Sequence, residues 1–263
     1  DVFCRPCLLR ECPIDHRCMT GVSVDQVYEA AVKGLSPRGT LNETPSSRTD
    51  DAVPGSPGSL PPTGQASLEG VTVFLDRDGT LNVDPGYLKS PADVQLLPGV
   101  AAGLARLKSA GAKLIVVTNQ SGVGRGLFSL KDLEAVHARL QGLLEQEEAV
   151  LDAIYFCPHH PNDGCRCRKP GRGMVDRAVT ELQLDLKRSY LIGDHARDMQ
   201  LAKSVGAKAI LFTTGVVDEQ AREALRAQQA LPDMIATSMT EAVEWILKDA
   251  GKALQLSAAG HPR

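Results

Sequence analysis

Aromatic side chains are scarce in this sequence of 263 residues: five Phe, four Tyr and one Trp, 4% of the chain. An excess of charge of one sign is also missing, since 29 Lys and Arg stand against 32 Asp and Glu for a net charge of -3. Both shortages speak against a nucleic-acid-binding module, which needs a basic field for phosphates and aromatic faces for bases. A local cationic pocket for a small phosphorylated ligand remains permitted. No apolar run approaches the length of a membrane span, and no secretory leader opens the chain. The first residue is Asp rather than Met, so the amino terminus is expected to be processed or truncated. The cysteines are seven, an odd number. Without a signal peptide, that count argues against a disulfide framework and for a reducing, cytoplasmic compartment.

What is present divides the chain into parts. Residues 1–35 carry Cys4, Cys7, Cys12 and Cys18 and end in a short helical pattern, Val24, Val27, Tyr28 and Ala31, behind a Ser23/Gln26 capping box. Residues 36–69 are rich in Pro, Gly, Ser and Thr; they bury too little to offset ordering entropy and read as a flexible linker. From residue 70 short apolar runs alternate with helical patterns. Strands are expected at 71–75, 114–117, 153–156, 190–192 and 209–212, with helices between them and two more closing the chain near Lys248. The expected fold is α/β, a three-layer sandwich with a mostly parallel sheet and right-handed crossovers over residues 70–249. Residues 250–263 are expected as a disordered tail.

In such a sheet the site lies at the carboxyl ends of the strands, and polar groups fall there. The first strand ends in Asp76-Arg77-Asp78-Gly79-Thr80 and the second in Thr118-Asn119-Gln120-Ser121. Arg168-Lys169-Pro170 follows the third, and Gly193-Asp194-His195, with Asp198 beyond, ends the fourth. Asp76 can attack phosphorus to form an aspartyl-phosphate, and Asp78 can protonate the leaving alcohol and later take a proton from water. Gly79 allows the sharp turn that brings both carboxyls to one phosphate. Clustered carboxylates would repel an anionic substrate, so a divalent cation is expected. Mg2+, which favours oxygen ligands, would be held by Asp76, the backbone carbonyl of Asp78 and Asp194. Thr118 and Lys169 would then donate to the phosphoryl oxygens.

Phe74-Leu-Asp-Arg-Asp-Gly-Thr-Leu-Asn82 resembles the opening signature of the haloacid dehalogenase superfamily. With Asp84, Gly86-Tyr87, Thr118-Asn-Gln-Ser-Gly122, Cys157-Pro-His-His160, Cys165-Arg-Cys-Arg-Lys-Pro170 and Gly193-Asp194, it resembles the branch of heptose bisphosphate and histidinol phosphatases. The resemblance implies a minimal cap and an open site. It also implies substrate contacts from Asp84, Tyr87, Thr118, Asn119, Gln120, Ser121, Arg125, Arg168, Lys169 and His195. His195 departs from the Lys frequent at that place. Cys157, His159, Cys165 and Cys167 are spaced C-x-H-x5-C-x-C and would close a tetrahedral, structural Zn2+ site bracing Arg168 and Lys169, with His160 the rival imidazole. Gly122-Val-Gly124-Arg125-Gly126 lacks dinucleotide spacing and reads as a loop of the phosphate site, where Arg125 could meet a second phosphate. His137 reads as a surface or packing residue.

The Cys4 to Met19 wording, with Thr20-Gly21 after it, resembles the carboxyl end of lipopolysaccharide heptosyltransferases. It implies a fusion of transferase, linker and phosphatase. The implied reaction is magnesium-dependent removal of the 7-phosphate of D-glycero-β-D-manno-heptose 1,7-bisphosphate, leaving the 1-phosphate, for ADP-heptose and the lipopolysaccharide core. Two alternatives stand beside it: a histidinol-phosphate phosphatase, and a zinc-dependent module binding nucleic acid or protein. No nucleic-acid partner and no membrane span are expected.

Overall fold

Thr72 to Leu75 is a four-residue strand, β1 (Thr72–Leu75), buried along its whole length. A strand so apolar and β-branched is stable only where both faces are covered. The structure, a computed structural model, describes residues 67–259 except 214 and 216. The Cys-rich piece 1–35, nearly all of the linker 36–69 and the last four residues lie outside the described residues.

The order continues α1 (Val100–Ser109), β2 (Lys113–Asn119), a one-turn α2 (Ser121–Gly124), α3 (Leu130–Glu145), β3 (Ala153–Cys157) and α4 (Gly173–Leu182). Then come β4 (Ser189–Gly193), α5 (Ala196–Val205), β5 (Lys208–Phe212), α6 (Glu219–Ala227), β6 (Met234–Ala236) and α7 (Met239–Ala259). The strands form one sheet in the order β3-β2-β1-β4-β5-β6, parallel at every pairing. This is the expected fold class.

Side chains alternate across the sheet. Val73, Leu75, Leu114, Val116, Ile192 and Ile210 share a buried cluster with the apolar stripes of α1, α3 and α7. The opposite face is covered by α4 on β3 and by α5 on β4 and β5. Helix α3 starts at a full capping box, Ser129 with Asp132. The chain leaves β1 for β2 on one side and returns to β4 on the other, so the crevice where ligands bind in open α/β sheets opens above β1 and β4.

Three expectations need correction. Met234–Ala236 is a sixth strand, where the sequence reading had only helices; three residues are too few to show alternation, and pairing with β5 defines it. Ser121–Gly124 forms one helical turn rather than a plain loop. Its glycines disfavour helix, but Gly124 N–H donates to Pro158 O at 2.8 Å, and a Cβ on Gly122 would stand 2.1 Å from the Phe128 ring; tertiary contacts override propensity. Finally, α7 runs to Ala259, so residues 250–259 are helical and not a disordered tail. Met239, Ala242, Val243, Ile246 and Ala250 bury one face of this helix, which offsets the cost of about 1 kcal/mol for Gly251 inside it.

Candidate active site

The β1–β4 register, Leu75 beside Ile192, brings Asp76 next to Gly193 and one residue from Asp194. The backbone then turns through Gly79 at φ 76°. A Cβ there would lie 2.2 Å from Asp194 Oδ2, so only glycine lets the Asp194 carboxylate close onto the turn.

Asp76 is 4% exposed. Its Oδ1 accepts from the Arg77 N–H at 2.7 Å, and its Oδ2 pairs with Lys169 Nζ at 2.7 Å. The same ammonium lies 2.7 Å from Asp198 Oδ1, and both those side chains are fully buried. Burial works against the charge on Lys169, but Asp198 and Asp76 outweigh it and hold the pKa above the ordinary lysine value. Burial likewise opposes ionised Asp198, and Lys169 and Arg197 outweigh it in turn. Asn119 fastens the backbone that carries this lysine, accepting from Lys169 N–H at 2.9 Å and donating to Lys169 O at 3.3 Å.

Asp78 accepts on both oxygens. Oδ1 receives Arg77 Nε and Asn82 Nδ2, each at 2.9 Å. Oδ2 receives Arg77 Nη2 at 2.8 Å and Gln120 Nε2 at 2.9 Å. Gln120 also donates to Thr118 Oγ1 at 2.9 Å. The carboxylate is therefore oriented from three sides at the edge of the crevice.

A cavity of about 280 Å³ opens here. Its lining includes Asp76, Asp78, Asp84, Tyr87 and the stretch Thr118 to Gly122, together with Arg168 and Arg197. Most of the expected substrate contacts are thus gathered at one place. Two are corrected. Arg125 caps the short α2, is exposed and lies outside the lining. His195 is also absent from the lining; its Nδ1 stands 2.6 Å from Asp194 Oδ1. Arg197, to which the sequence reading assigned no role, takes a place in the wall. Arg77 and Asp198 were likewise given no role, and His137 was read as a surface or packing residue. Only Asp198 carried a signal, its place four residues beyond Asp194 at the start of α5.

The donor set fits a divalent cation. Burial first, and then the Asp76 and Asp198 carboxylates, push the Asp194 carboxyl up to about 6 against the lowering effect of His195. Hard oxygen donors in that surplus of negative charge suit Mg2+. The second cluster has a different character. Cys157 Sγ lies 3.5 Å from Cys165 Sγ and from His159 Nδ1, and His159 Nδ1 lies 3.1 Å from Cys167 Sγ. All four ligand atoms fall within 4.8 Å of one another, near the ~3.8 Å edge of a tetrahedron with ~2.3 Å metal–sulfur bonds. His160 turns away, its Nδ1 accepting from Asn162 N–H at 3.2 Å. The geometry selects His159.

A parallel sheet in this order, with paired aspartates after its first strand, defines the class of haloacid dehalogenase (HAD) hydrolases. The HAD-hydrolase-like family matches residues 166–242. D-glycero-D-manno-heptose-1,7-bisphosphate 7-phosphatase of Thermosynechococcus vestitus is 43% identical over 185 residues, 66% of this chain and 94% of that protein. The D-glycero-beta-D-manno-heptose-1,7-bisphosphate 7-phosphatase of Haemophilus ducreyi is 37% identical over 183 residues, 66% of this chain and 97% of the relative. The crystal structure of D,D-heptose 1,7-bisphosphate phosphatase from B. bronchiseptica, complexed with magnesium and phosphate, superposes with a TM-score of 0.60 at 35% identity, covering 68% of this chain and 98% of that one. This chain belongs to the heptose-bisphosphate phosphatase family of HAD-like hydrolases.

Proposed function

We propose that the protein removes the 7-phosphate of D-glycero-β-D-manno-heptose 1,7-bisphosphate, leaving the 1-phosphate, in the cytoplasmic supply of ADP-heptose for lipopolysaccharide core. The observation that carries this reading is the buried chain Asp76–Lys169–Asp198 beside Asp78, opening on a cavity whose wall also holds Arg168 and Arg197. A carboxylate attacks, a second moves a proton, a fixed ammonium offsets the phosphoryl charge, and the positive charge of Arg168 and Arg197 in the cavity wall favours a second anion there.

Asp76 attacks phosphorus, and the bond to the sugar oxygen breaks as Asp78 delivers a proton to that oxygen. Asp78 then takes a proton from the water that hydrolyses the aspartyl-phosphate, and Asp76 is regenerated. Lys169, kept charged by Asp198, offsets the charge on the phosphoryl oxygens, and Thr118 donates to them. Asp76, the Asp78 carbonyl and Asp194 would hold Mg2+, which when bound would supply charge neutralisation at the transferring phosphoryl group. Asp84 and Tyr87 meet the sugar from the loop after β1, and Arg168 and Arg197 meet the 1-phosphate. Asn119, Gln120 and Ser121 shape the floor, the first by holding Lys169 and the second by holding Asp78. Cys157, His159, Cys165 and Cys167 would hold Zn2+, which would brace the loop that ends in Arg168 and Lys169. Residues 1–35, read as the end of a heptosyltransferase, would join two enzymes of one pathway.

A histidinol phosphate substrate would bring an ammonium group toward Arg168 and Arg197, an unfavourable meeting of like charges. Phosphate release by the full chain with magnesium should favour the heptose bisphosphate over histidinol phosphate by at least ~100-fold in kcat/KM, as expected from about 3 kcal/mol of discrimination. Preference for histidinol phosphate would sink the assignment.

A further inference from the structure

Arg77 is fully buried and does not line the cavity, yet it holds the residue that moves the proton. Its Nε and Nη2 form a fork on the two oxygens of Asp78, at 2.9 and 2.8 Å. Its Nη1 stands 3.1 Å from His137 Nε2, sixty residues away on α3. A guanidinium has donors and no acceptor, so Nε2 must be the accepting nitrogen, and the imidazole is neutral with its proton on Nδ1. Burial, and then the adjacent Arg77 charge, lower the pKa of this ring to about 4, consistent with that protonation state. Phe156 packs against the ring with centroids 5.5 Å apart and planes at 57°.

His137 stands in the apolar stripe of α3 among Leu133, Val136, Leu140 and Leu144. Packing alone would be served by another aliphatic side chain there. The imidazole adds an acceptor placed against a buried N–H, and a buried donor without a partner is costly.

We propose that His137 is a positioning residue of the reaction: by fixing Nη1 of Arg77 it sets the plane of the guanidinium, and through that plane the orientation in which Asp78 meets the leaving-group oxygen. Two parallel bonds from a planar fork fix both the position and the tilt of a carboxylate. With Nη1 released, the guanidinium can rotate to find another acceptor, and the fork on Asp78 opens. Asn82 and Gln120 still hold Asp78 from the other sides, so the loss is partial. This inference rests on the reading of Asp78 as the group that protonates the departing sugar oxygen.

The test exploits leaving groups. A sugar alkoxide needs a proton to depart; p-nitrophenolate does not. In the 263-residue chain with magnesium, His137→Phe should lower kcat/KM for the heptose bisphosphate by about 10-fold or more, part of the ~10²–10⁴ that a general acid contributes. The loss should fall in kcat, with KM moving less than about threefold, and kcat/KM for p-nitrophenyl phosphate should fall by less than about threefold on the same argument. His137→Gln, whose side-chain oxygen can accept from Arg77, should recover most of the loss. If His137→Phe does not fold, His137→Leu, which keeps an aliphatic stripe without an acceptor, is read by the same criteria. Equal losses on both substrates, a change confined to KM, no loss, or failure of Gln to do better than Phe would each overturn the proposal and leave His137 a packing residue. No turnover of either substrate by the unsubstituted protein would overturn the phosphatase reading and this inference with it.

Discussion

The two ends of the sheet use the same chemistry, lysine with aspartate, for opposite purposes. At the carboxyl end Lys169 lies between Asp76 and Asp198 with side chains 0 to 6% exposed. At the amino end Lys208 meets Asp249 Oδ1 at 2.6 Å, and Asp249 also accepts from Tyr190 OH at 2.7 Å. Lys108 meets Asp152 at 2.7 Å, and Asp152 caps the N–H of Leu114 at 2.7 Å. These amino-end pairs are 22 to 48% exposed, and each ties the start of a strand to a neighbouring helix. Water screens them, so each adds little and costs little. The buried chain is different. Dehydrating three ions is expensive and is offset only while all three are present. Charge is buried where phosphoryl transfer needs a strong field and left half-wet where only the fold is served.

Four outcomes would break or sharpen that contrast. The largest is Asp76→Asn, expected to lower turnover at least ~1,000-fold without unfolding the domain; circular dichroism and phosphate release measure both. A variant turning over at the unsubstituted rate would refute Asp76 as the nucleophile. Next, Lys169→Met should lower kcat at least ~100-fold and cost about 3 kcal/mol of stability by leaving two buried carboxylates without their cation. Adding Asp198→Asn should restore stability in denaturant titrations but not turnover; recovery of both would place Lys169 outside the chemistry.

Chelation of the zinc proposed on Cys157, His159, Cys165 and Cys167 should come third. We expect a lower Tm and a drop in kcat/KM of about 10-fold, the order seen when groups that orient a site are loosened; added zinc should reverse both, and an unchanged Tm would count against a structural ion. The smallest effect belongs to the amino end. Asp249→Asn should cost about 1 kcal/mol and leave turnover within about twofold. Burial opposes the ionised form of Asp249, but the bonds from Lys208 and Tyr190 outweigh it and depress its pKa. That contribution is complete above the unfolded value of about 3.9 and fades as pH falls through the folded one. The gap between the two proteins should therefore close in acid, and a gap that persists at pH 2 would mean that the carboxylate charge is not its source.

Much of this could be read before any coordinates. Asp76, Asp78, Gly79, Thr118 and Asp194 were legible because they sit at or just past the ends of apolar runs, and a parallel sheet carries all such ends to one edge; Lys169, in the loop between β3 and α4, was legible only from the Arg-Lys-Pro wording. The cluster of Cys157, His159, Cys165 and Cys167 was legible because one short stretch of chain holds all four. Residues that depend on where a helix face points were not. Arg125 looked available to the substrate but is turned outward by the short α2, whereas Arg197, at the start of α5, enters the cavity wall. The strand at Met234–Ala236 was missed because three residues carry no period, and its identity lies in its neighbour.

By itself, then, the order of residues determined the strand–helix alternation, the carboxylates at the strand ends and the Cys/His loop, since these follow from local periodicity and spacing. Only the tertiary structure decided that His159 and not His160 joins the thiols, that Asp198 keeps Lys169 charged, and that His137 reaches Arg77 across sixty residues. Those pairings depend on distances between separate elements, and a linear pattern does not encode a distance until the packed core has set it.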